Sequence, residues 1–286
     1  MKIIAITILS FLILSDAISQ SKQSEERYIG PQKGYLIIIG GGVTPKEVRE
    51  RFIQLAGDKN ASIVFIPTAS DDAEVLKESE NFINAYKKRG IMNVTAINTR
   101  SKNEANDEKF YKVLETATGV FIGGGKQHRL SEAYLGTKTL NALFDLLDRG
   151  GVIGGSSAGA TIQGSYLMGG KTRKTSDLSK LDNAYDKGFG FVKHAAIDQH
   201  LLKRNRQLDL VPIITQFPEI LGIGIEESSA IEIHKNSLTV LGNSTVLIYD
   251  NNDWNRQTKE TGNVTSPYII LGENQIYDLR SRRIIK

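Results

Sequence analysis

Short apolar runs that alternate with helical segments constrain the fold of this chain more than any other feature of its sequence. The runs are rich in Ile and Val, and most are followed by glycine or small polar residues; they are Tyr35–Ile39, Ser62–Ile66, Val94–Ile97, Gly119–Ile122 and Val152–Ile153. Strands and helices in alternation predict a parallel sheet with helices on both faces. We therefore predict a three-layer α/β/α fold with a mostly parallel sheet as its middle layer.

Glycine-rich segments follow three of these predicted strands, at Gly40–Gly42, Gly123–Gly125 and Gly154–Gly159. In parallel α/β sheets, ligands bind at the carboxyl ends of the strands. The three segments would meet at that edge, which predicts a ligand site there.

The C-terminal part of the chain has a different pattern. Its short strand-like runs are separated by Asn, Gly and Asp; they are Ala230–His234, Ser237–Leu241, Thr245–Tyr249, Tyr268–Leu271 and Gln275–Tyr277. Closely spaced runs of this kind favour antiparallel pairing. We predict a C-terminal antiparallel extension of the sheet or a small β-meander, within a single domain over residues 34–286.

The N-terminus has the pattern of an export signal. Lys2 precedes an apolar stretch, Ile3–Leu14, and the small residues of Ala17–Ser19 suit signal peptidase. The stretch is too short for a membrane anchor. We predict a signal peptide over residues 1–19, a disordered leader over residues 20–33, and a mature protein that is secreted or periplasmic and not bound to a membrane.

Composition excludes several kinds of chemistry. The chain has no cysteine, so it forms no disulfide and offers no thiol nucleophile or thiolate ligand. Its net charge of +4 is mild and spread out, which argues against nucleic acid as a partner. No dinucleotide fingerprint opens a helix, and no histidine pair has metal-ligand spacing. We therefore predict no cofactor and no metal.

The segment Gly155–Gly159 fits the pattern G-x-S-x-G, a serine on a sharp turn between a strand and a helix. Such a turn strains the backbone of Ser157 and exposes its hydroxyl at the start of the helix. The N–H groups of Ala158 and Gly124 are candidates for stabilising an oxyanion. The alternative is a glycine-rich turn that only packs closely.

A serine nucleophile needs a base, and His200 is the best placed of the four histidines because it follows a predicted strand. The cluster that begins at Asp198 and Gln199 also contains Arg204 and Arg206, at the start of a predicted helix that runs from Arg204 to Gln216. Guanidinium groups suit a substrate carboxylate. The alternative for both arginines is a solvated helix surface, where they pair with Asp209 or with nothing.

Taken together, four motifs resemble the family of cyanophycinase and its relative peptidase E, serine hydrolases with a glutamine-amidotransferase-like fold. The four motifs occur in the family's order; they are FIGGGKQHRL (121–130), GGSSAGA (154–160), IDQHLLKRNR (197–206) and GIGIEESSAI (222–231). The resemblance implies Ser157 as nucleophile and His200 as base. It also implies a set of substrate-binding residues: Gln127, Asp198, Gln199, Arg204 and Arg206.

The chain departs from the family's pattern at three positions. Lys126 replaces an aspartate of the glycine loop, and Asp209 replaces a further arginine. Cyanophycinase's acid is expected about 18 residues after the serine, where Thr175 stands. Asp177 is the nearest carboxylate and the predicted third member of the triad; Asp182 and Asp186 lie further on.

The resemblance implies a metal-free peptidase that cleaves aspartyl or β-aspartyl peptides through an acyl-enzyme, with a peptide bearing an acidic residue as its partner and a homodimer as its assembly. Two alternatives remain open at this stage. One is a dipeptidase like peptidase E, and the other is an inactive protein that binds acidic peptides.

Overall fold

The computed structural model describes residues 27–168, 187–242, 245–254 and 266–286. The predicted signal peptide lies outside these ranges, as do Asp177, Asp182 and Asp186. Within the described ranges, no helix combines the length and the apolar character that crossing a bilayer requires.

The helices and strands of the described residues alternate through the first half of the chain. The helices are Lys46–Ala56 (α1), Asp72–Lys87 (α2), Lys102–Ala105 (α3), Glu108–Tyr111 (α4), Gln127–Tyr134 (α5), Lys138–Asp148 (α6), Ala158–Thr161 (α7) and Val211–Gln216 (α8), with 3₁₀ turns at Asp58–Asn60 and Lys112–Glu115. The strands are Tyr35–Ile39 (β1), Ser62–Ile66 (β2), Asn93–Ala96 (β3), Gly119–Ile122 (β4), Val152–Ser156 (β5), Gly164–Tyr166 (β6), Val192–Gln199 (β7), Leu221–Ile225 (β8), Ala230–His234 (β9), Ser237–Leu241 (β10), Val246–Tyr249 (β11), Ile269–Leu271 (β12), Ile276–Asp278 (β13) and Arg283–Ile284 (β14).

The larger sheet has nine strands in the order β14-β13-β10-β9-β1-β5-β4-β2-β3. Strands β1 to β5 are parallel to their neighbours among themselves, and β9 joins the edge of β1 in the antiparallel sense. This arrangement confirms the predicted α/β fold with a mostly parallel sheet and an antiparallel C-terminal extension.

Strand β1 shows why the sheet lies between two helical layers. Leu36 and Ile38 belong to one buried apolar cluster, whereas Ile37 and Ile39 belong to another that includes Val48 and Phe52 of α1. Successive side chains of a strand point to opposite faces, so a continuous apolar run requires cover on both sides. Complete burial of each isoleucine stabilises the fold by roughly 1.5–3 kcal/mol.

A second sheet of five strands, in the order β12-β11-β8-β7-β6, was not predicted. The strand pattern continues through β7 and β8, but β1, β4 and β5 already have neighbours on both sides. Strands β7 and β8 pair with each other in the second sheet, and the C-terminal strands divide between the two sheets. The predicted helix from Arg204 is also shorter than expected, because residues 201–210 form turns and α8 begins at Val211.

Part of the predicted leader, at residues 30 and 31, is bonded to the rest of the fold. The N–H of Gly30 donates to the carbonyl of Lys235 at 2.7 Å, and the N–H of Lys235 donates to the carbonyl of Pro31 at 2.9 Å. These bonds fasten residues 30 and 31 to the turn between β9 and β10.

Candidate active site

The centre of the site is the turn between β5 and α7. Ser157 has φ 56° and ψ −113°, a strained conformation for a residue other than glycine. The turn is close-packed, because a Cβ on Gly159 would lie 2.1 Å from the carbonyl oxygen of Ile122. Glycine at this position therefore permits the turn that presents the Ser157 hydroxyl.

His200 lies beside this hydroxyl, with its Nε2 atom 3.0 Å from Ser157 Oγ. It comes directly after β7, and its N–H donates to the carbonyl of Gly40 at 2.9 Å. Gly41 leaves room for the imidazole, since a Cβ there would lie 2.2 Å from His200 Cε1. The first glycine-rich segment thus forms the wall behind the histidine.

Glu227 is the carboxylate that holds the histidine ring. Its Oε1 atom lies 2.6 Å from His200 Nδ1, opposite the nitrogen that faces Ser157. The neighbouring Glu226 accepts from the N–H of Leu202, and from that of Lys203 at 3.3 Å. The two glutamates after β8 therefore hold both the ring of His200 and the backbone beyond it.

Sequence reasoning did not find Glu227, although it lies within the matched segment GIGIEESSAI. The available signal was a carboxylate directly after a predicted strand, at the edge where the site was expected. Asp177, the acid predicted from the sequence, lies outside the described residues.

The electrostatics of His200 favour the neutral ring. Burial lowers its pKa below the ordinary value, and the hydrogen bond to Glu227 opposes this effect by raising it. The positive charges of Arg204 and Arg206 lower the pKa further. A neutral imidazole near pH 7 can accept a proton from the serine hydroxyl.

The predicted oxyanion donors border the serine. A Cβ on Gly124 would lie 3.8 Å from Ser157 Oγ, so the second glycine-rich segment passes close to the hydroxyl. Among the described residues, no acceptor is bonded to the N–H of Gly124 or of Ala158. Both N–H groups are thus available to a developing oxyanion.

The other predicted site residues differ in what they contact. Gln199 is near the nucleophile, with its Oε1 atom 3.5 Å from Ser157 Oγ, and Arg204 is exposed at the turn that follows His200. Gln127 and Asp198 are buried: Gln127 Nε2 donates to the carbonyl of Met168 at 2.8 Å, and Asp198 pairs with Arg206 at 2.9 Å. The described ranges contain no group of three or more His, Asp or Glu side chains able to hold a metal ion.

A serine hydroxyl, an imidazole and a carboxylate in series at a turn of this type are the arrangement of a serine hydrolase. The chain belongs to peptidase family S51, whose sequence model matches residues 36–241. It is therefore a peptidase and a hydrolase, with a peptide as its substrate.

Its relatives include several cyanophycinases. The chain is 29% identical to the cyanophycinase of Geminocystis herdmanii over 221 residues, which cover 75% of this chain and 80% of that protein. It is 30% identical to the cyanophycinase of Trichormus variabilis over 238 residues, which cover 81% and 78%. The fold is similar to the crystal structure of a peptidase from an acI-B1 Actinobacterium, with a TM-score of 0.62, 20% identity and coverage of 87% and 98%.

Proposed function

We propose that this protein is a secreted serine peptidase that hydrolyses aspartyl or β-aspartyl peptide bonds through an acyl-enzyme. The observation that carries the proposal is the hydrogen-bonded series Ser157–His200–Glu227, with distances of 3.0 Å and 2.6 Å. Its relatives include cyanophycinases, and resemblance to that family implies cleavage of aspartyl or β-aspartyl peptides, which supports the proposed specificity.

The Ser157–His200–Glu227 series can catalyse the acylation of Ser157 by a peptide substrate. His200 Nε2 takes the proton of Ser157 Oγ while the oxygen attacks the amide carbonyl, and the N–H groups of Gly124 and Ala158 donate to the resulting oxyanion. The C–N bond then breaks, and the imidazolium gives its proton to the leaving amine. Glu227 accepts the Nδ1–H throughout, which fixes the tautomer and stabilises the imidazolium.

Deacylation repeats these steps with water in place of serine. His200 takes a proton from the water, the oxygen attacks the acyl carbonyl, and the ester bond to Ser157 breaks. The proton returns to Ser157 Oγ, and the free enzyme is restored.

The alternative of an inactive binding protein depended on a missing acid, and Glu227 supplies a carboxylate at the position that a triad requires. The geometry thus favours an active enzyme over an inactive binding protein.

Secretion rests on the N-terminal sequence. Lys2, the apolar stretch after it and the small residues before Gln20 form a signal with cleavage after Ser19. We expect N-terminal sequencing of the exported protein to begin at Gln20. A protein that retains Met1 after export would contradict the proposal.

Arg204 is the proposed partner of the substrate carboxylate. It is exposed, and its N–H donates to the carbonyl of His200 at 3.0 Å, so it lies one turn beyond the base. Its charge acts within the site, since it lowers the pKa of His200. A guanidinium in this position can bind a carboxylate beside the scissile amide.

We expect Arg204→Ala to lower kcat/KM for an aspartyl peptide by about 30-fold or more, because a charge-assisted hydrogen bond is lost. The matched asparaginyl peptide should lose less than about threefold. Removing the positive charge also raises the pKa of His200, so the acidic limb of the kcat/KM profile should move to higher pH. Equal losses for the two peptides would argue against the aspartyl specificity.

A further inference from the structure

The guanidinium of Arg206, near the active site, contacts two carboxylates and one backbone carbonyl. Its Nη2 atom lies 2.9 Å from Asp198 Oδ1, its Nε atom donates to Asp209 Oδ2 at 3.0 Å, and its Nη1 atom donates to the carbonyl of Gln199 at 3.5 Å. The Nε–Nη2 edge could bind a carboxylate through two parallel hydrogen bonds. Here Asp198 and Asp209 share that edge, so it is closed to substrate.

Asp198 cannot readily give up this partner. Its side chain is fully buried, and its Oδ2 atom has no hydrogen-bond partner in the described residues. Burial raises the pKa of Asp198 to about 6, while the Arg206 charge opposes the rise. A buried carboxylate that loses its counter-charge is strongly unfavourable, so Arg206 is tied to the fold.

The same ion cluster fixes the backbone next to the base. Asp198 Oδ1 accepts from the N–H of Gln199 at 2.9 Å, and Arg206 donates to the carbonyl of the same residue. His200 follows directly and has φ 53°, a conformation that needs support from its surroundings. Arg206 therefore acts on the base through Gln199.

Asp209 differs from Asp198 in exposure. Its side chain is 29% exposed, whereas that of Asp198 is inaccessible. Asp209 is therefore the acid that covers the solvent-facing part of Arg206. Arg204, in contrast, has no ion-pair or side-chain hydrogen-bond partner among the described residues.

We propose that Asp209 is a specificity-determining residue: it occupies Nε of Arg206, leaves Arg204 as the one unpaired guanidinium within the described residues 198–209, and so selects peptides with one carboxylate beside the scissile bond over peptides with two. The inference rests on the proposed function, and it adds the charge of the preferred substrate.

The test compares three peptides of one length, with no carboxylate, one carboxylate or two carboxylates flanking the scissile amide. We expect the wild-type kcat/KM to be highest for the peptide with one. Asp209→Asn removes the covering charge at constant size and weakens the hold on Arg206 Nε, while Nη2 stays paired with Asp198. The variant should raise kcat/KM for the two-carboxylate peptide, relative to kcat/KM for the one-carboxylate peptide, by about tenfold.

Asp148→Asn is the matched control. Asp148 is exposed at the end of α6 that leads into the start of β5, the edge of the sheet opposite the site. The Asp148→Asn substitution removes the same charge and should leave the ratio of the two kcat/KM values unchanged. An unchanged ratio in Asp209→Asn, or an equal rise in both variants, would overturn the specificity role.

Arg206→Lys tests the positioning role with a residue that keeps the charge but loses the planar donor geometry. We expect kcat to fall by about tenfold for all three peptides at nearly constant KM, with the melting temperature showing that the variant is folded. A rise in KM confined to acidic peptides would place Arg206 in the substrate site and overturn the inference. If the wild-type enzyme has equal kcat/KM for the peptide with no carboxylate and the peptide with one, the aspartyl specificity is refuted, and with it the substrate charge inferred here.

Discussion

Ser157→Ala is expected to lower kcat for peptide hydrolysis by a factor on the order of 10⁴–10⁶, because it removes the hydroxyl on which the proposed acyl-enzyme forms. The melting temperature should stay within about 2 °C of wild type, since the hydroxyl contributes little to packing and alanine retains the Cβ. Steady-state kinetics and thermal unfolding of the same preparation measure both quantities.

Ser156→Ala provides the control for this substitution. Ser156 is the last residue of β5 and pairs with Ile39 of β1, so it differs from Ser157 in position by one residue but belongs to the sheet. We expect its activity to remain within about tenfold of wild type. If Ser157→Ala retained activity while Ser156→Ala lost it, the assignment of the nucleophile would be wrong.

Glu227→Gln is expected to lower kcat by about 10³–10⁴ with little change in KM. The amide cannot stabilise the imidazolium as a carboxylate does, and its N–H₂ group favours the tautomer with the proton on the wrong nitrogen. Since Glu227 binds His200 Nδ1, on the side of the ring away from Ser157, substrate binding should be almost unaffected. Single-turnover kinetics with a chromogenic ester would separate acylation from binding.

Asp177→Asn decides between the two candidate acids. The structure predicts a loss below about tenfold for this variant, because the position facing His200 Nδ1 is filled by Glu227. A larger loss in Asp177→Asn than in Glu227→Gln would restore the assignment made from sequence and make the Glu227 contact incidental to catalysis.

The sequence was sufficient for features whose cause is local. Gly155–Gly159 predicts a strained turn because few other sequences fit it, and the structure has Ser157 at φ 56°. The apolar run of β1 predicts a strand buried on both faces, and that strand lies inside the larger sheet. Glycine spacing and hydrophobic runs carry this information without any long-range contact.

Glu227 could not be found this way, because its position depends on a pairing between distant strands. Strand β7 runs parallel to β8 with Gln199 opposite Ile225, and this register brings the residues after β8 beside His200. Nothing near His200 in the sequence indicates that register. The second sheet was missed for the same reason, since its pairs β7–β8 and β8–β11 join strands that are separated by long connections.

The arginines show a related difficulty. Arg204 and Arg206 are two residues apart in one basic run, yet one is exposed and the other is enclosed by Asp198 and Asp209. The predicted helix would have placed both at its start, within reach of the active site, whereas turns over residues 201–210 direct them to different surroundings.

Covalent labelling tests the central claim most directly. Wild-type protein treated with a fluorophosphonate probe should gain the mass of one adduct, and peptide mapping should locate it on Ser157. Labelling should slow strongly in His200→Ala, because the neutral imidazole activates the hydroxyl. An adduct on Ser156 or another residue, or no adduct on an enzyme that still hydrolyses peptides, would contradict a mechanism through Ser157.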